Sequence, residues 1–175
     1  TAAIAVSYFI GISANIIKYS LKNFKGVERR FNKIFNYKGA DVYDDYAHHP
    51  TEIKEVINGV KKSHRGKKII CIFQPHRVSR LNDLKEDFCS SFKKASSVIL
   101  CPVYKAGENI KLNVNYYKFS EQIAKKSNVQ VFFVNNQFEL AKFLKKYLNE
   151  EKIAIGMGAG SISAWIKELP LLMKK

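Results

Sequence analysis

The sequence predicts a three-layer α/β domain built on a mostly parallel, roughly six-stranded sheet, with helices ahead of it. Three observations carry this. After residue 31, short apolar runs alternate with amphipathic stretches of roughly 10 to 17 residues, the spacing that right-handed crossovers between parallel strands require. Runs such as IICIF and VILC are apolar at every position, as buried strands are. The 175 residues, 46% hydrophobic and 13% aromatic, are those of a globular chain long enough for one proper core.

The elements follow in order. TAAIAVSYFIGISANII is broken by Ser7, Gly11, Ser13 and Asn15, which makes it too polar to span a membrane and predicts a buried helical pair. The apolar pattern starts at the first residue, with no initiator methionine and no basic leader, so a signal peptide is not expected and further sequence upstream is. FNKIFNYKGADVYDDYA reads as two strands joined near Lys38 and Gly39. PTEIKEVINGVKKSH reads as a helix with Pro50 in its first turn, Glu52 near its positive end, and Ile53, Val56, Ile57 and Val60 on one face. KKIICIF is a buried strand, RVSRLNDLKEDFCSSFKKA helical, SSVILC a strand and YYKFSEQIAKKS a helix. VQVFFV, FELAKFLKKYL, EKIAIG and SISAWIKELPLLM complete the alternation.

Composition excludes several classes. The net charge of +15 comes mostly from 25 lysines, placed as pairs near helix ends where they solvate the surface and oppose the helix dipole. No basic motif with interleaved aromatics accompanies them, so nucleic-acid binding is not expected, nor is a membrane partner. Cys71, Cys89 and Cys101 lack metal or disulfide spacing, and two sit in apolar runs as small hydrophobes, which fits a reducing cytoplasm.

The five arginines are more informative than the lysines, because a guanidinium grips carboxylate or phosphate through two parallel bonds. Four of them fall in two short segments, GVERRF and QPHRVSR. Ligands of parallel sheets bind beyond the carboxyl ends of the strands. There DVYDDYAHHP delivers Asp44, Asp45, Tyr46, His48 and His49, while the next strand delivers Gln74, His76, Arg77 and Arg80. A purely structural account has the arginines pairing with Asp44 or Asp45. Adjacent histidines on extended backbone point to opposite sides, so a metal shared by His48 and His49 is not expected. GMGAGS completes no GxGxxG frame, since Ser161 and Ser163 stand where the third glycine belongs. It reads as a tight strand-to-helix turn, with phosphate binding the alternative. The residues by themselves point to a small anionic ligand held by Arg77 and Arg80 and faced by Asp45 and His48.

DDYAHHPTEI followed by FQPHRVSR resembles the Mur ligase family, whose last domain is Rossmann-like. FKGVERRF, YKAGE and GMGAGSISAW resemble further segments of it, so that nearly the whole chain is covered. The resemblance implies that residues 1–28 end a central ATP-binding domain and residues 29–175 form the C-terminal domain. It further implies ATP- and magnesium-dependent phosphorylation of a carboxylate on a UDP-sugar, followed by attack of an amino-acid amine to give an amide in peptidoglycan synthesis. In the alanine-adding branch, which acts on UDP-N-acetylmuramate, the matching residues place L-alanine against Tyr46, His48, Arg77 and Arg80. Arg30 matches the nucleotide-phosphate contact and Asp45 a residue near the ATP ribose.

The sequence also departs from the family pattern. It contains no GxxxxGK[ST] phosphate loop, UDP-sugar domain or central-domain magnesium ligands, so ligation by this chain alone is not expected, and the metal ligands are expected upstream. Pro102 stands where a polar residue is expected before YKAGE. A peptide-recycling member of the same family and a non-enzymatic anion- or nucleotide-binding module both stay open, QPHR arguing against the first.

Overall fold

The computed structural model describes residues 2–24, 26–109 and 114–174. Thr1 and Lys25 of the N-terminal segment, and Lys175, lie outside these. Six strands form one sheet: β1 (Asn32–Tyr37), β2 (Ala40–Asp45), β3 (Lys68–Phe73), β4 (Ser97–Leu100), β5 (Gln130–Phe133) and β6 (Lys152–Met157). Their order is β1-β2-β6-β3-β4-β5. Only β1 runs antiparallel, joined to β2 by a turn in which Lys38 and Gly39 both take positive φ.

The helices divide between the two faces. α3 (Pro50–Ser63), α5 (Lys85–Ser90) and α6 (Tyr116–Ser127) contribute Ile53, Ile57, Phe88, Phe119 and Ile123 to a core that includes Ile69, Cys71 and Phe73. α7 (Gln137–Tyr147) and α8 (Ile162–Lys174) bring Leu140, Leu144, Ile166 and Leu169 against Ile70, Ile72 and Ala154 on the other. Alternate residues of β3 thus enter different cores, which is why IICIF is apolar throughout. All three cysteines are buried free thiols, and burial raises their pKa values. No described helix is long and apolar enough to cross a membrane.

Two expectations need correction. The N-terminal pair, α1 (Ala2–Phe9) and α2 (Ala14–Asn23), forms as a helical hairpin, but no residue of it is buried. Phe9 is 90% and Ile16 58% exposed, because two short helices cannot enclose each other's apolar faces without a third surface. RVSRLNDLKEDFCSSFKKA is not one helix. α4 (Val78–Asp83) ends at Leu84, with φ −111° and ψ 21°, before α5 begins, and a turn follows Ser90. Asn82 and Asp83 precede the break, residues whose side chains compete for backbone partners.

Strand register sets the edge at which the candidate residues gather. Asp45, Met157, Phe73 and Leu100 stand abreast as the final residues of β2, β6, β3 and β4. Pairing continues for one step, with Gly158 N–H donating to Asp45 O, Gln74 N–H to Met157 O and Cys101 N–H to Phe73 O. The residues that follow therefore leave the sheet side by side.

Candidate functional site: a cationic and aromatic rim at the strand ends

At one end of the rim the chain ahead of β1 crosses the end of β2. Arg29 and Phe31 take φ of 56° and 51°, left-handed values that are uncommon for large side chains. They are held there by neighbours. Tyr46 N–H donates to Arg29 O at 2.7 Å, and Phe31 N–H donates to Asp45 Oδ2 at 2.8 Å. The second Asp45 oxygen accepts Ala47 N–H at 2.8 Å. Asp45 is only 3% exposed, and burial pushes its pKa up, with the two backbone donors and Arg30 opposing. The aspartate expected near a ribose thus also shapes the turn that presents Arg30, whose guanidinium lies outside, 5.6 Å from the Tyr46 ring centre.

Alternation along the extended chain sends Asp45 and Ala47 inward and leaves Tyr46 and His48 half-exposed on the rim. His49 caps α3: its Nδ1 accepts Thr51 N–H, while Glu52 Oε2 accepts the N–H groups of His48 and His49. Burial works against the Glu52 carboxylate, yet these donors and His48 leave its pKa below the ordinary value. His48 Nδ1 lies 3.0 Å from Tyr46 O, which can only accept, so that nitrogen carries the hydrogen.

Four rings then run along the rim. Tyr46 and His48 meet edge to face at 5.1 Å, His48 and His76 at 5.8 Å, and His76 lies over Tyr104 at 5.6 Å. Arg80 Nη1 reaches His76 Nδ1 at 3.4 Å. Arg77, at φ 70°, donates its N–H to Tyr104 O. α4 has no cap of its own, and Glu108 from the YKAGE segment supplies one. Its carboxylate accepts Val78 N–H at 2.7 Å, Ser79 N–H at 3.3 Å and the Ser79 hydroxyl, and the Ser79 bond leads in lowering its pKa.

Tyr46, His48 and Arg80 are therefore joined through His76, and Arg30 is joined to them through Tyr46. Among the described residues, Arg77 and Arg80 pair with no carboxylate, so the ion-pair network with Asp44 or Asp45 does not form. Arg29 meets Asp44 instead, at 3.9 Å. Gln74 turns inward to hold the start of α8, its Oε1 accepting Ile162 N–H at 2.9 Å. GMGAGS is a packing turn. A Cβ on Gly160 would lie 2.5 Å from Tyr104 and one on Gly158 2.8 Å from Gln74 O.

From the sequence, Arg29 counts only among the clustered arginines and His76 only as an edge residue, with no role for either, while Glu108 as a cap and Tyr104 as a ring partner of His76 are not signalled. Adjacency to Arg30 and Arg77 marked Arg29 and His76. Nothing local marked the pairing of His76 with Tyr104, which depends on β3 and β4 being neighbours. Among the described residues no three of His, Cys, Asp and Glu gather to hold a metal, and both Asp45 oxygens are engaged, so these residues do not build a magnesium site.

Fold and rim together define an α/β domain with a cationic, aromatic edge at the carboxyl ends of its strands. Residues 29–160 match the family model for the Mur ligase, glutamate ligase domain, and the chain belongs to that family. It is 60% identical over 173 residues to a UDP-N-acetylmuramate–L-alanine ligase of Pelagibacter ubique, covering 99% of this chain and 37% of that protein. It is 39% identical over 168 residues to the ligase of the same name from Aquifex aeolicus, covering 95% and 36%. The crystal structure of a UDP-N-acetylmuramate–alanine ligase from Thermotoga maritima superposes with a TM-score of 0.79 at 27% identity, over 99% of this chain and 36% of that one. A murein peptide ligase from Psychrobacter arcticus shares the fold, with a TM-score of 0.69 at 21% identity over 98% and 35%. The chain thus spans little more than a third of the relatives it matches.

Proposed function

We propose that this chain is the amino-acid-binding and nucleotide-closing part of an ATP-dependent ligase that joins L-alanine to UDP-N-acetylmuramate. The observation that carries the reading is the continuous row from Arg30 through Tyr46, His48 and His76 to Arg80, which offers a phosphate contact at one end and a carboxylate clamp at the other. The 60% identity to an alanine ligase over almost the whole chain supports that choice of substrates. Residues 1–28 would close a central ATP-binding domain, whose surface would cover the exposed apolar side chains of α1 and α2. The three buried thiols support a cytoplasmic setting.

In the reaction, a carboxylate oxygen of UDP-N-acetylmuramate takes the terminal phosphoryl group of ATP and ADP leaves. The alanine amine, as free base, then attacks the acyl carbon, the C–N bond forms, the C–O bond to phosphate breaks, and the nitrogen sheds one proton as inorganic phosphate departs. The residues of this chain bind and orient. Arg77 and Arg80 hold the alanine carboxylate by charge-assisted hydrogen bonds, with the amine left directed outward. Tyr46 and His48 wall the pocket, and the committed Nδ1–H of His48 keeps its ring from turning. Arg30 meets a nucleotide phosphate, and Asp45 serves the nucleotide side through the turn it holds. Magnesium, which such phosphoryl transfer uses, would take its ligands from elsewhere, and no step here is assigned to it.

The test is ADP release by the full-length protein that carries this chain, given ATP, UDP-N-acetylmuramate and alanine, with the product identified by mass. Alanine-dependent amide formation is the expected result. Product formed with a peptide and not with alanine would make it a recycling ligase, and nucleotide binding with no product would leave only a binding module.

A further inference from the structure

We propose that Arg29 is a positioning residue for Tyr46, setting the ring that walls the alanine pocket and tying it to the segment that carries Arg30. This rests on the pocket reading given above. Three contacts of Arg29 bear on that task, although its buried Nε makes no hydrogen bond and meets Asp44 only as a charge. Its carbonyl accepts Tyr46 N–H at 2.7 Å. Its Nη2 donates to Gly158 O at 2.6 Å, in the turn after β6. Its Nε lies 3.9 Å from Asp44 Oδ2, and Asp44 is itself fixed by the Ser163 hydroxyl of α8 at 2.6 Å. The guanidinium so anchored lies over the face of Tyr46, 4.6 Å from the ring centre.

Tyr46 needs such a partner. It stands on the rim and is only half-buried, so core packing does not fix its ring. A guanidinium held in place by Gly158 O and Asp44 offers a flat cationic surface that favours one ring plane. The edge of His48 completes the clamp from another side at 5.1 Å. The left-handed backbone of Arg29 fits the same account, since a large residue keeps φ of 56° where its surroundings over-determine it. Two strand ends, β2 and β6, thus converge on one side chain whose outer face holds the ring, with the start of α8 bracing Asp44 behind it.

The experiment uses the full-length protein. Arg29→Gln keeps a donor for Gly158 O but removes the cation from the ring and from Asp44. The KM for alanine is expected to rise about tenfold or more and the KM for ATP to change less than about threefold, whatever the fall in melting temperature from the lost Asp44 partner. Arg29→Lys, which restores a cation, should recover most of the loss. Combined with Tyr46→Ala, Arg29→Gln should add little further change, because the ring it positions is gone. A lowered melting temperature with an unchanged alanine KM would show Arg29 to be a structural anchor and overturn the proposal. A full tenfold effect persisting in the Tyr46→Ala background would overturn it as well. Should Arg29→Gln not fold, Asp44→Asn, which frees the guanidinium from one anchor, is expected to shift the alanine KM in the same direction, and an unchanged value would count against the proposal. A wild-type protein that ligates no alanine would remove the pocket reading and this role together. An active wild type with an indifferent Arg29→Gln removes only the role.

Discussion

Arg80 donates from Nη1 to Nδ1 of His76 across 3.4 Å, one helical turn along the chain. A guanidinium cannot accept, so the bond exists only while that imidazole nitrogen keeps its lone pair. Burial lowers the His76 pKa below 6.5, and the nearby charges of Arg80, His48 and Arg77 lower it further, with Glu108 opposing. The folded state therefore binds this proton less readily than the unfolded chain. The associated stability is complete above about pH 6.5 and is lost as pH falls through the depressed value. Protonation would also turn Arg80 away from its present position. The KM for alanine should accordingly climb on the acid side while that for ATP stays flatter, and His76→Asn should remove this limb. An identical acid limb in the variant would assign the titration to another group.

Replacing Arg77 or Arg80 by alanine in the full-length protein should raise the alanine requirement steeply and leave ATP binding nearly unchanged. A lost charge-assisted hydrogen bond costs about 1.5 to 3 kcal/mol, roughly ten- to a hundredfold in KM. Steady-state kinetics with each substrate varied in turn would measure it. Unchanged alanine dependence in both variants would sink the clamp.

Asp45→Asn and His48→Ala should separate. Asparagine offers an N–H₂ where Asp45 accepts from Phe31 or Ala47, so the turn bearing Arg30 loosens and the ATP dependence weakens. His48→Ala removes a wall of the proposed pocket and should weaken the alanine dependence instead. If both variants only melt earlier and neither KM moves, the cluster is structural.

Gly160→Ala should disturb the rim from behind. The new Cβ would lie 2.5 Å from Tyr104 Cβ and 2.6 Å from Gln74 Oε1, contacts that side chains do not tolerate without movement. A loss of about 1 to 3 kcal/mol in denaturant unfolding is expected from such overpacking. Displacement of Tyr104 should also uncover His76 and raise the alanine KM. Wild-type values of both would mean that the turn yields freely.

Local periodicity was enough to reveal the strand and helix segments of the domain, because a buried strand and an amphipathic helix each leave a pattern of apolar positions in the chain. It was misleading for α1 and α2, where an apolar face looks the same whether covered or not. It also missed the break at Leu84, since Leu81 and Phe88 enter the same core on either side of it.

What the sequence by itself determined is the identity of the candidate segments: DDYAHHP and QPHR each follow a strand-forming run, so the carboxyl ends of two strands had to carry them. What only the tertiary structure decided is who meets whom there. Placing β6 between β2 and β3 carries Gly158 to Arg29 and Gln74 to the start of α8, and the neighbouring of β3 and β4 brings Tyr104 onto His76. Strand order is settled by burial of both sheet faces, a property of the whole chain, and residues as far apart as Arg29 and Gly158, 129 positions, therefore leave no local mark of their contact.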